Sequence, residues 1–173
     1  MSLLTTARRI GLAIAALIFV LDQLSKWLVT GPLGVNAIGD SRDVLPIFAF
    51  TYAENTGVSL NLFAAESETG RWLLVALTLA VALTVLVWLL REHLLRDIAG
   101  LALVLGGALG NILDRVRLGH VVDFADLHFG EFRPFLIFNV ADAAITIGIL
   151  IILARSFLSR EKRPNQADTA PET

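Results

Sequence analysis

The sequence has no cysteine, which excludes disulfides, thiolate-bound metals and a cysteine nucleophile. Charge is scarce: Asp, Glu, Lys and Arg make up 17% of 173 residues, against about 25% in soluble domains. The net charge is −2 and no basic stripe exists to neutralise phosphates, so a nucleic-acid partner is not expected. The three histidines, His93, His120 and His128, lie in no H-E-x-x-H or other metal-binding spacing. There is no G-x-S-x-G elbow and no internal repeat. What the chain has in quantity is apolar surface: 55% of residues, with a mean hydropathy of +0.71. That describes an integral membrane protein of one domain.

Four apolar stretches are long enough to cross a bilayer. Residues 72–90, "WLLVALTLAVALTVLVWLL", carry no charge and as a helix span about 28 Å, close to the thickness of a bilayer core. The others are expected at about 10–30, 98–113 and 136–158. Arg8 and Arg9 before an apolar run resemble a signal peptide, but "LDQLSKWLVTG" follows where a small-x-small cleavage site would stand. Eight of the fourteen Lys and Arg flank the N-terminus, the 91–96 loop and the tail, so both termini are expected in the cytoplasm. The segments at about 31–71 and 114–135 then lie on the outer side. "FAFTY" at 48–52 alternates as a strand does, and Gly130 suggests a hairpin, so a small antiparallel sheet is expected there. The expected unit is a single four-helix membrane domain over 1–158, followed by a polar cytoplasmic tail at 159–173.

Polar residues gather at one depth, near the outer ends of the spans. Asp22 and Lys26 are i,i+4, as are Asn111 and Arg115, with Gly107 one turn below. Asn139 and Asp142 are i,i+3; Asn55 and Asp123 come from the outer segments. Lipid cannot hydrogen-bond such groups, so these stripes should face the bundle interior. Packing explanations stand beside the functional ones. Asp22 and Lys26 also read as a snorkelling ion pair. Gly106 and Gly110 have the GxxxG spacing of a helix interface, Asn111 and Arg115 suit a helix end, Asn55 a turn, and Asp123 a loop. Asp142 is the exception, because an acid in a span costs about 2.5–3.5 kcal/mol at the centre and marks function by default.

Two acids near one another suggest an aspartyl pair sharing one proton, with one carboxylate activating water and the protonated partner polarising a peptide carbonyl. A Ser–Lys dyad of Ser59 and Lys26 is a weaker option. A proton-coupled carrier or a structural membrane subunit remain open on chemistry alone; a carrier would usually show repeats and midplane polar breaks.

Five blocks then fall into a known order: "LDQLSK" at 21–26, "ENTG" at 54–57, "LGGALGNILDR" at 105–115, "GHVVDF" at 119–124 and "FNVADAAI" at 138–145. Together they resemble the bacterial lipoprotein signal peptidases (signal peptidase II), over nearly the whole chain to about Phe157. The resemblance implies a four-helix inner-membrane aspartyl protease with a periplasmic sheet as a cradle and a short movable lid. It implies Asp123 and Asp142 as the catalytic pair. It implies Asp22, Lys26, Asn55, Gly57, Gly107, Asn111, Arg115, Asn139 and Ala141 as supporting or substrate-binding residues. The implied substrates are diacylglyceryl-modified prolipoproteins, cut before the lipidated cysteine, and the implied inhibitor is globomycin. No cofactor or metal is implied, and one bundle suffices, so a monomer is expected among membrane lipids. One departure stands out: where the family has small residues and an aromatic, as in "NTGAAF", this chain has Val58, Ser59 and Leu60.

Overall fold

The computed structural model describes residues 5–57 and 68–160. Val58, Ser59 and Leu60, the expected lid before the second span, and the tail beyond 160 lie outside the described residues. Seven elements follow in order: α1 (Thr6–Thr30), β1 (Ser41–Leu45), β2 (Phe48–Asn55), α2 (Glu68–Arg91), α3 (Leu95–Leu118), β3 (Val121–Leu127) and α4 (Val140–Arg160). All four helices are long and apolar enough to cross a membrane.

Their burial is inverted relative to a soluble bundle. Large apolar side chains such as Leu17, Leu77 and Leu150 face outward, as lipid permits, while Asp22, Lys26, Asn111, Asp114 and Asn139 are buried. α3 is the hub, packed against α1, α2 and α4. Its small residues allow this. A methyl group at Gly106 would stand 2.5 Å from the Ala15 carbonyl oxygen of α1, and one at Gly107 would stand 2.5 Å from that of Ala141 on α4. Gly110 makes room for the carboxylate of Asp22. α2 instead offers one thin seam, with Val75, Ala82 and Leu89 buried seven residues apart. α1 starts at Thr5, whose hydroxyl accepts the Arg8 N–H. α3 ends at Gly119 in the left-handed region, φ 91°.

The strands form one antiparallel sheet in the order β1-β2-β3. β3 lies innermost and is buried along nearly its whole length. Its far edge is closed by an isolated bridge from Ala125 to Phe138. Phe138 leads straight into α4, so the strand and the helix carrying the two acids are stitched together just before α4 begins. A second apolar core of Val29, Val35, Tyr52, Val122, Phe124 and Ala125 seats the sheet on the end of α1. The turn at Gly130, φ 62°, closes a bridge between Phe129 and Phe132.

Two boundaries differ from the sequence reading in ways that matter. α3 runs on to Leu118 rather than stopping near 113, because Arg115 and Arg117 sit in its final turn. α4 begins at Val140 rather than near 136, because Phe138 is held in extended bonding to Ala125.

Candidate active site

Asp123 sits on β3, paired in register with Ala53 of β2, and is 3% exposed. Asp142 sits in the first turn of α4, half-buried. Both line one cleft of about 830 Å³, walled by Ala53–Gly57 on one side and Arg133–Phe138 on the other. The second wall is anchored by an ion pair of Arg133 with buried Asp126, 3.2 Å. An apolar pocket continues from Asp142 along α4 past Ala143, Thr146 and Ile147.

Neutral amides hold each acid. Asn139 Nδ2 donates to Asp123 Oδ1 at 2.6 Å, and Asn55 Nδ2 donates to Asp123 Oδ2 at 3.1 Å. Asn111 Nδ2 donates to Asp142 Oδ1 at 2.8 Å. Asn139 bridges the two halves. Its Oδ1 accepts the Asp142 N–H at 2.9 Å, while Asp142 Oδ2 accepts the Asn139 N–H at 3.4 Å, a reciprocal cap at the start of α4. Asn139 therefore precedes the helix and caps it, rather than sharing a helical stripe with Asp142.

Asp123 has the electrostatics of a proton holder. Burial pushes its carboxyl up from 3.8 to about 7, the neighbouring charge of Asp142 adds to this, and the bonds from Asn55 and Asn139 oppose it. Arg115 on α3 interacts with both acids, and its Nε is buried without a hydrogen-bond partner among the described residues. Gly57, φ 82°, donates its N–H to Asn55 Oδ1 at 2.9 Å. A side chain there would press on the Arg115 guanidinium and Leu74.

Beneath the acids lies an ionic layer. Lys26 Nζ is 2.8 Å from Asp22 Oδ2 and 2.7 Å from Asp114 Oδ2, and it donates to Asn111 Oδ1 at 3.2 Å. Asp22 and Lys26 are 0% and 5% exposed, so the snorkelling reading is corrected: both point into the bundle. The Ala141 N–H donates to Asp22 Oδ1 at 3.0 Å. Asp22, Lys26, Asn55, Gly57, Asn111, Arg115, Asp123, Asn139, Ala141 and Asp142 thus fall in or beside this cluster, and Gly107 reaches it through its contact with Ala141; Ser59 lies outside the described residues. Asp114 and Gln23 were missed. Gln23 Nε2 donates to Asp114 Oδ1 at 2.9 Å and to Asp22 Oδ2 at 3.1 Å. The available signal was that Asp114 lies three residues after Asn111, on the stripe of Gly107 and Gly110. Lys26 is engaged by two carboxylates, which removes it from a Ser–Lys dyad. Among the described residues no three His, Asp or Glu side chains are grouped to hold a metal ion.

The chain is similar to known proteins in sequence and in fold. The profile of the signal peptidase (SPase) II family matches residues 14–158. The lipoprotein signal peptidase of Sphingopyxis alaskensis is 55% identical over 163 residues, 94% of this chain and 93% of that protein. That of Rhizorhabdus wittichii is 47% identical over 156 residues, 90% of each. A bacterial membrane enzyme solved in meso at 2.3 Å has the same fold, with a TM-score of 0.74, 25% identity and 95% of each chain covered.

Proposed function

This chain belongs to the signal peptidase II family, a family of proteases, and on that premise we propose that it is an intramembrane aspartyl endopeptidase acting through Asp123 and Asp142. It is a multi-pass membrane protein. Its proposed substrates are diacylglyceryl-modified prolipoproteins, cut just before the lipidated cysteine. The carrier and structural-subunit readings have no support from the family.

The observation that carries the reading is the cleft that the two acids share. Two acids from different elements line one cleft, and one of them holds its proton to about pH 7. Charge balance points the same way. Lys26 lies between Asp22 and Asp114, while Arg115 faces Asp123 and Asp142. With one proton shared by the pair, the Arg115 half of the cluster is neutral, which a buried site favours. The pair titrates as a unit, so the acid and base roles belong to the dyad rather than to one residue.

In the proposed reaction the ionised carboxylate takes a proton from water as its oxygen attacks the scissile carbonyl carbon. The protonated carboxyl gives its proton to the carbonyl oxygen. The tetrahedral diol collapses and the C–N bond breaks; the leaving nitrogen takes a proton from one carboxyl of the dyad, and a diol hydroxyl returns its proton to the other, so the pair again holds one proton. The products are the carboxylate end of the signal peptide and the free amine of the lipidated cysteine. Asn55, Asn139 and Asn111 keep the carboxylates oriented, and the Nε of Arg115, unpartnered among the described residues, is the proposed donor for a substrate carbonyl. The apolar pocket along Ala143, Thr146 and Ile147 suits an acyl chain or the apolar signal segment.

The scissile bond of such a substrate lies at the membrane interface, which accounts for an acid at the mouth of a span. The sheet end is proposed to face the periplasm, in the bacterial inner membrane, with both termini cytoplasmic. Residues 1–158 are read as the functional unit, active as a monomer and inhibited by globomycin at the dyad. The test is signal-peptide release from a lipidated prolipoprotein in detergent micelles, by wild type, Asp123→Asn and Asp142→Asn. The reading expects cleavage by the wild type alone. Turnover surviving in either folded variant would remove that acid from the chemistry.

A further inference from the structure

Asp114 takes no part in the dyad chemistry, yet it is 4% exposed and fully engaged. Its Oδ2 lies 2.7 Å from Lys26 Nζ and accepts the Val122 N–H at 3.3 Å; its Oδ1 accepts from Gln23 at 2.9 Å. Asp22 is its counterpart, 2.8 Å from the same ammonium and accepting the Ala141 N–H at 3.0 Å. Val122 immediately precedes Asp123, and Ala141 immediately precedes Asp142. One lysine therefore ties together two carboxylates, each of which grips the backbone one residue before a dyad acid. The third contact of Lys26 goes to Asn111 Oδ1, which also accepts from Asn139 at 3.2 Å. With that oxygen occupied, the Asn111 Nδ2 faces Asp142.

We propose that Asp22, Lys26 and Asp114 form a buried spacer that sets the separation of the two dyad carboxylates, with Asp114 the positioning residue that ties β3 into it. The inference rests on the dyad reading above. Charge neutralisation alone does not account for Asp114, because Asp22 already pairs with Lys26 at 2.8 Å. Asp114 is a second carboxylate on an ammonium that already has a partner. What the second carboxylate adds is the grip on Val122, and through it a fixed height for Asp123 above α3. Around Asp123 the spacer acts alongside Asp142 on α4, Arg115 on α3, Lys26 on α1 and Asn55 on β2.

The test compares wild type, Asp114→Ala and Asp114→Asn in detergent with the lipidated prolipoprotein. It reads kcat and KM separately, the pH profile, and the folded fraction by thermal shift. A displacement of about 1 Å in a catalytic group lowers turnover on the order of 100-fold, so Asp114→Ala should lose kcat on that scale with KM changed by less than about twofold. Its descending pH limb should move, because the sharing of a proton depends on the separation of the two carboxylates. Asp114→Asn, which keeps an oxygen for the Val122 N–H, should recover part of the loss. If Asp114→Ala does not fold, Gln23→Met, which loosens Asp114 by removing one neutral donor, should show the same limb shift on a smaller scale. A folded variant with wild-type kcat, or with reduced kcat and an unmoved pH limb, overturns the spacer alone. Absence of cleavage by the wild type overturns the protease reading and the spacer with it.

Discussion

Gly107→Ala probes how tightly α3 positions the dyad. The new methyl group would stand 2.5 Å from the Ala141 carbonyl oxygen and 2.9 Å from Ile145 Cγ1. Ordinary contact begins at 3.4 Å, so the first turn of α4 has to retreat by about 0.9 Å. The nearer atom is backbone, and no rotamer relieves it. Overpacking of this kind costs about 1–3 kcal/mol of stability. The greater effect is on chemistry, because Ala141 adjoins Asp142 and its N–H is bonded to Asp22. A shift of about 1 Å predicts a loss of kcat on the order of 100-fold. Gly106→Ala is the matched comparison. Its methyl group meets the Ala15 carbonyl oxygen, also at 2.5 Å, but drives α3 away from α1 at a point about two turns from Asp22. Its stability cost should be similar and its loss of kcat about tenfold smaller. The assay is turnover of lipidated prolipoprotein in micelles beside a thermal-shift measurement. Equal losses of kcat in the two variants, or full kcat in Gly107→Ala, would refute the claim that α4 is held in place through Gly107.

The folded-state value of Asp123, about 7, lies above its ordinary 3.8. Its stabilising contribution is therefore complete below about pH 4 and lost as pH rises through about 7, and cleavage should decline over the same upper limb as the shared proton leaves. Thermal shift against pH should show this slope in the wild type and a flatter one in Asp123→Asn. Asn139→Leu removes the donor to Asp123, Asn111 and the Val122 carbonyl. It should cost roughly 1–3 kcal/mol for each buried acceptor left unpaired and abolish turnover, read by denaturation and by gel shift. Asp97→Asn, at the other end of the bundle, breaks the two-point contact with Arg155 at 2.7 and 3.0 Å. The pair is partly exposed, so the loss of stability should be small, with kcat unchanged.

The helices were legible because a bilayer demands long unbroken apolar runs, and the strand segment because Phe48, Phe50 and Tyr52 alternate. Ends were less legible. The local mark of Val140 as the start of α4 is the Asn139–Asp142 capping pair, which at i,i+3 also reads as a helical stripe; the bridge from Ala125 to Phe138 decides for the cap. The Asp22–Lys26 spacing suits a surface pair as well as a buried one, and only the cavity over Gly110 decides between them. Asp114 was passed over for a similar reason, since an acid beside an arginine at a helix end reads as solvated.

From sequence alone came the features set by the surrounding medium and by short-range periodicity: four spans, a small antiparallel sheet, and polar residues gathered near one end of the spans. The motif blocks added the family. The tertiary structure alone decided which of those polar groups meet. Asp123 and Asp142 are 19 residues apart, and Asp22 and Ala141 are 119 apart. Their meeting depends on the small faces of α3 and on the register of β3 against β2, which are long-range packing choices without a local periodicity. A carboxylate that holds its proton to about pH 7 follows from that enclosure, because burial and a second acid, neither visible along the chain, are what raise it.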